Sequence, residues 1–238
     1  MKKIFESPDQ RIQLWHGKCV DFKFPSDAIA ITDPPYNIGK PQLIGNFKSQ
    51  KVMGRDFGED FDVGAILPSQ WASHMPDTVL SFYSAKRMSK LIRAFEKAGY
   101  EIVQDFHYCK TNVPPPLRGI GFAWATESGY VFRKVGTKHV VNKKAGYSPN
   151  FFVSPRATNL THSTPKPLAV MKWLVKFFTL EESLVVDPFM GGGETAIACI
   201  ELGRRFLGIE QKQEYCDLAV QRVKDALVRR RGSFQFKS

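Results

Sequence analysis

The chain has 238 residues, 43% hydrophobic and 24% charged, which suits one large α/β domain or two small ones. No apolar run reaches the ~18–20 residues of a membrane span, and the start, MKKIFESPDQR, lacks the apolar core of a secretory signal, so a cytoplasmic protein is expected. The net charge of +11 is unevenly placed: no Asp or Glu lies between Glu127 and Glu181, an interval holding Arg133, Lys134, Lys138, Lys143, Lys144, Arg156, Lys166, Lys172 and Lys176. That pattern points to a polyanion partner, with a plain solvated face as the alternative.

In chain order, Ile12-Gln13-Leu14-Trp15 reads as a short strand. Ala28 to Thr32 is a continuous apolar run, the mark of a strand covered on both faces. It stops abruptly on Asp33-Pro34-Pro35-Tyr36, a stiff turn carrying a carboxylate and an aromatic ring. Residues 37–62 form a long polar stretch bearing Lys40, Lys48, Lys51 and Arg55, expected to be a mobile functional loop. Thr78 to Tyr83 reads as a strand. Ala85 to Ala98 reads as a helix, with Met88, Leu91, Ile92 and Phe95 on one face and Gly99 past its end.

Glu101 to Lys110 and Gly129 to Lys134 read as strands, followed by a basic insert over 135–160. Pro167 opens a helix with Leu168, Met171, Leu174, Val175 and Phe178 on its apolar face. Then come a strand at Leu184 to Asp187, a helix at Glu194 to Leu202, a strand at Arg205 to Ile209 and a helix at Gln213 to Arg230. Strands alternating with helices predict a mostly parallel sheet covered on both faces. Cys19, Cys109, Cys199 and Cys216 form no Cys-x-x-Cys pair and no zinc-like spacing, so reduced thiols and no metal are expected.

A second turn follows the strand ending at Asp187. It reads Asp187-Pro188-Phe189-Met190-Gly191-Gly192-Gly193-Glu194-Thr195, and its glycines allow close backbone approach to a ligand. The next strand ends at Glu210, where a carboxylate can accept ribose hydroxyls. Ala196 replaces the third glycine of a dinucleotide motif, and no Lys or Arg sits in the turn to clamp phosphates. S-adenosylmethionine, a nucleoside without phosphate, fits better than a dinucleotide. A tight structural turn is the plainer alternative.

These two motifs, in this order, resemble the beta-class amino-methyltransferases of DNA, which methylate adenine N6 or cytosine N4 from S-adenosylmethionine. Thr161-His162-Ser163-Thr164-Pro165-Lys166-Pro167-Leu168 and Gly203-Arg204-Arg205-Phe206-Leu207-Gly208-Ile209-Glu210 resemble the segments that flank the cofactor motif in that family. Tyr215, Arg222 and Trp15-His16-Gly17 also fit. Lys18, where the family often has aspartate, and Glu194-Thr195, in place of Thr-Thr, depart from it. The resemblance implies a single domain over 1–238, with a Rossmann-like, seven-stranded, mostly parallel sheet. It implies cofactor contacts from Asp187, Pro188, Phe189, Gly191, Gly193, Thr195, Glu210, Thr164 and Lys166, the last at the cofactor's carboxylate end.

The chemistry explains the first motif. An exocyclic amine is a poor nucleophile inside a duplex, so its base is rotated into a pocket and its nitrogen pyramidalised by acceptors. Asp33 and the Pro34 carbonyl are the expected acceptors, Pro34 and Pro35 fix the turn, and Tyr36 stacks on the base. Double-stranded DNA is the expected partner, contacted by Lys40, Lys48, Lys51, Arg55, Arg133, Lys134, Lys138, Lys143 and Lys144. Phe47, Tyr147 and Phe151 are candidates to fill the hole left by the base. Asp-Pro-Pro-Tyr is the family's usual adenine form. Cytosine N4, an RNA or protein N-methyltransferase and a non-catalytic DNA-binding module remain alternatives. A homodimer and a cognate restriction nuclease stay open.

Overall fold

The computed structural model describes residues 1–36, 51–52, 55–56, 66–113, 121–138, 141–157 and 166–235. In order the elements are β1 (Lys2–Glu6), β2 (Ile12–His16), β3 (Ile29–Thr32), β4 (Lys51–Val52), β5 (Arg55–Asp56), α1 (Pro68–Trp71), β6 (Thr78–Tyr83), α2 (Met88–Lys97), β7 (Tyr100–Lys110), β8 (Thr126–Lys134), β9 (Phe151–Ser154), α3 (Leu168–Phe178), β10 (Leu184–Asp187), α4 (Glu194–Leu202), β11 (Arg205–Glu210) and α5 (Gln213–Gln235).

Among the described residues, one nine-stranded sheet runs β1-β2-β11-β10-β3-β6-β8-β7-β9, and β4 pairs with β5 as a separate hairpin. The seven-strand expectation falls short by the two edges. β1 folds back antiparallel on β2, and β9 joins β7 in parallel. β1 reads Lys-Lys-Ile-Phe-Glu, too charged to register as a buried strand, and β9 lies inside the basic stretch taken as an insert. The centre, from β2 through β11, β10 and β3 to β6, is parallel; β8 runs antiparallel to both β6 and β7.

Alternation along β3 divides the core. Ile29 and Ile31 pack with α3, α4 and α5 on one face; Ala28 and Ala30 join Trp71, Leu91 and Phe95 on the other. All four are buried, as a central strand covered twice requires. The chain leaves β3 toward β6 on one side and β10 toward β11 on the other, so the winding direction reverses between β3 and β10. In sheets of this kind a ligand crevice opens at that reversal, outside the carboxyl ends of the strands.

β7 and β8 overshoot that rim. Thr32 aligns with Ser81, Ser81 with Tyr130, and Tyr130 with Asp105. β7 continues five residues beyond Asp105 to Lys110, a rise of about 16 Å at ~3.3 Å per residue. β9 pairs only with this overhang, His107 to Lys110. Three strands therefore stand as a wall beside the crevice. Gly129 makes the wall's base tight: a Cβ there would lie 2.3 Å from the Phe106 ring and 2.6 Å from the Ser81 carbonyl.

Candidate active site

The apolar run of β3 delivers Asp33 and Tyr36 to the crevice. Pro34 is buried beneath them, and Tyr36 leans edge-on against Tyr83 at 5.4 Å. The Tyr36 hydroxyl donates to Asp33 Oδ1 at 2.5 Å. The Lys166 ammonium donates to Asp33 Oδ2 and lies 3.3 Å from the Tyr36 hydroxyl oxygen. Lys166 also pairs with Glu127 Oε2 at 2.8 Å, and Lys110 pairs with Glu127 Oε1.

The result is a chain of alternating charge, Lys110–Glu127–Lys166–Asp33, closed by a phenol. Burial alone would lower the Lys166 pKa, but Asp33, Tyr36 and Glu127 outweigh it and hold the amine firmly protonated. Burial would likewise raise Glu127, but Lys166 and Lys110 hold its carboxyl at about 2. Burial and the Asp33 charge push the Tyr36 phenol well above its usual range, so it stays a donor. Lys166, expected at the cofactor's carboxylate end, makes these contacts with the Asp33 turn and Glu127. Glu127 and Lys110 escaped sequence reading. The signal for Glu127 was its place as the last acid before the acid-free interval.

The second turn follows β10, directly beside β3, with Val186 opposite Ala30. Thr32 Oγ1 donates to Asp187 Oδ1 at 2.7 Å and ties the two turns together. Asp187 also accepts from Thr195 Oγ1 at 2.7 Å and from the Phe189 N–H at 3.1 Å. Asp187 and Thr195, expected to face a cofactor, are instead buried and turned toward each other, shaping the loop from behind. Burial pushes the Asp187 carboxyl up to about 6, against the pull of its hydrogen bonds.

Gly191 and Gly193 have φ of 50° and 86°, in the left-handed region that favours glycine. Arg222 of α5 donates to the Gly192 carbonyl at 2.8 Å and to Glu194 at 2.5 Å, bracing the loop. Pro188 is buried; Phe189 is half-buried with its ring edge-on to Trp71 at 5.3 Å. Glu210, at the end of β11, accepts from the N–H groups of Gly191, Gln211 and Lys212 at 3.0, 2.9 and 2.8 Å. A carboxylate has about four acceptor positions, so among the described residues one remains on Oε2.

The basic residues divide differently from expectation. Arg133 pairs with Glu101, and Lys134 donates to the Ala98 carbonyl at the end of α2 and lies 4.6 Å from the Tyr100 ring centre. Arg133 aligns with Thr78 at the amino end of β6, the edge of the sheet opposite Asp33. Lys138 follows from that edge. Lys143 and Lys144 sit in a short 3-10 turn that Asn142 fastens to the carboxyl end of α3, through the Phe177 and Lys176 carbonyls. Five expected DNA contacts therefore lie at the amino end of the sheet, away from Asp33. Tyr147, just past that turn, is exposed. Lys51 and Arg55 belong to the β4–β5 hairpin. Lys40, Phe47, Lys48, His162, Thr164 and most of the 37–62 loop lie outside the described residues.

Comparison with known proteins finds similarity along most of the chain. The chain is 26% identical over 211 residues to the putative methylase YubD of Escherichia coli, covering 87% of this chain and 88% of that one. It is 24% identical over 250 residues to the Type II methyltransferase M2.MboI of Moraxella bovis, covering 93% and 91%. A crystal structure of M1.HpyAVI in complex with SAM shares the fold, with a TM-score of 0.66, 24% identity, and 89% and 99% of the two chains covered. A family model described as DNA methylase, covering N6- and N4-methyltransferases, matches residues 28–221, and the chain belongs to that family.

Proposed function

We propose that this protein moves the methyl group of S-adenosylmethionine to N6 of adenine in double-stranded DNA, after the base is rotated out of the helix. One observation carries the reading. The Asp33–Tyr36 turn and the Gly191–Gly193 turn rise from adjacent strands and are joined by the Thr32–Asp187 hydrogen bond.

The residues fit that cofactor. Glu210 keeps one acceptor position for a ribose hydroxyl, and the glycine turn beside it carries no cation for phosphate. Phe189 offers an aromatic edge for an adenine ring. When bound, S-adenosylmethionine supplies a methyl group on a sulfonium. Asp33 is the acceptor for the target amine, and it favours a pyramidal nitrogen bearing positive charge. Lys166 pairs with Asp33 and fixes it in place, and the Tyr36 hydroxyl orients the same carboxylate. Positioning of the amine by these groups supplies the rate.

The DNA would lie across the carboxyl ends of the strands. Lys86 is exposed just past β6. Arg156 follows β9, with its N–H bonded to Asn112 at 2.7 Å. The Type II name of M2.MboI fits a modification enzyme matched to a restriction nuclease. Adenine is favoured over cytosine because the turn reads Asp-Pro-Pro-Tyr. Expression in a methylation-free host, followed by mapping of modified bases in that host's genome, tests this. N6-methyladenine at one short site is the expected result. N4-methylcytosine would overturn the base assignment, and unmodified DNA would overturn the activity.

A further inference from the structure

The top of the β7–β8–β9 wall carries aromatic surface that the fold does not use. Phe122 is 99% exposed and Trp124 is 69% exposed, on the segment entering β8. That segment is anchored by the Lys110 N–H donating to the Ala125 carbonyl at 2.7 Å. Lys86 Nζ stands 5.8 Å from the Trp124 ring centre, a cation over an aromatic face. A phenyl ring wholly in water contributes nothing to the core. Two such rings beside a lysine have the composition of a base-stacking platform.

Position narrows the role. Glu127 touches Lys166, and Lys166 touches Asp33. Phe122 is five residues before Glu127, so the chain places it at most about 18 Å away. β7 and β8 carry this segment beyond the carboxyl ends of the central strands, so a duplex with one base delivered to Asp33 lies on the same side of the sheet as Phe122. Rotating a base out leaves a gap in the stack, and apolar side chains are suited to enter such gaps.

Resting on the base-extruding DNA methylase reading, we propose that Phe122 inserts into the duplex at the gap left by the target base. Trp124, held by Lys86, backs it against the adjoining nucleotide. Because Phe122 is almost wholly exposed, its removal leaves the fold intact. The test compares single-turnover methylation by the wild type and Phe122→Ala on two duplexes carrying the mapped site. One is fully paired; the other has an abasic nucleotide opposite the target base, so extrusion breaks no pair. The variant is expected to lose about tenfold to hundredfold on the paired duplex, the effect of one lost base–aromatic stack. On the abasic duplex it should lose less than about threefold. Equal loss on both, or loss on neither, with an active wild type, overturns this role alone. A wild type that methylates neither duplex overturns the DNA reading with it.

Discussion

Glu127 Oε2 lies 2.8 Å from Lys166 Nζ, the same ammonium that pairs with Asp33. Two carboxylates therefore share one buried cation, and Glu127 limits how completely Lys166 neutralises Asp33. Replacing Glu127 with glutamine gives the whole ammonium to Asp33 and weakens it as an acceptor for the amine. We expect kcat for Glu127→Gln to fall about tenfold, ~1.4 kcal/mol of transition-state stabilisation, with KM for DNA within about threefold. Steady-state kinetics decide it. An unchanged kcat, or a change confined to KM, would remove Glu127 from the positioning of Asp33.

On the proposed function, Asp33 should separate chemistry from cofactor binding. Its oxygens face Tyr36 and Lys166, whereas the glycine turn is held by Asp187, Arg222 and Glu210. Asp33→Ala should lower methyl transfer by at least about 100-fold, as for loss of a preorganised electrostatic partner. Its affinity for S-adenosylmethionine should stay within about threefold, because Glu127 still pairs with Lys166. Calorimetric titration beside a methylation assay distinguishes the two; lost cofactor affinity would misplace Asp33.

Asp187 and Glu127 give opposite pH signatures. Burial raises the folded Asp187 carboxyl from 3.8 to about 6, so the folded state takes up a proton before the unfolded state does. Stability from this group therefore rises as pH falls from above 6 toward 3.8. Glu127 is lowered from 4.5 to about 2, so its contribution is present above 4.5 and is lost as pH falls toward 2. Denaturant unfolding at pH 7.5 and pH 5 should show the wild type gaining about 1–2 kcal/mol relative to Asp187→Asn. A pH-independent difference between the two proteins would contradict the buried, uphill ionisation of Asp187.

Much of this was legible in the sequence, for identifiable reasons. β3 and β10 open on apolar runs, and α2 and α3 each show one apolar face, so local pattern and tertiary burial agree there. Of the wall, β7 and the latter part of β8 were read as strands, but the first residues of β8 and all of β9 were not. Glu127-Ser128 has the composition of a turn, yet it is strand, paired with Tyr108 and His107 of β7. Glu127 was missed with it. The basic interval misled because charge along the chain does not say which end of the sheet it reaches. Arg133 and Arg156 lie in one acid-free run but at opposite ends of the strands.

Arg222 supports the cofactor turn from outside. It donates to the Gly192 carbonyl and pairs with Glu194, and both contacts vanish in Arg222→Ala. Two hydrogen bonds involving a charged group, each worth ~1.5 kcal/mol and partly replaced by water, hold the glycine loop that we propose binds the ligand. We expect affinity for S-adenosylmethionine to fall about tenfold, while DNA affinity measured without cofactor is unchanged. Equal weakening of both would mean a general loss of structure, visible as a large drop in Tm.

The placement of the basic residues makes the salt dependence of DNA binding a test of orientation. Each phosphate contact adds about 0.9 to the negative slope of log K against log salt concentration. Lys86 and Arg156 stand at the carboxyl ends of the strands, so Lys86→Ala and Arg156→Ala should each flatten the slope by about 0.9. Lys143 and Lys144 are fastened to the far end of α3 through Asn142, so replacing both with alanine should leave the slope unchanged. Fluorescence anisotropy over a salt series measures all three. A slope that falls with Lys143 and Lys144 but not with Lys86 and Arg156 would put the duplex on the opposite edge of the sheet, out of reach of Asp33, and the active-site assignment would fail with it.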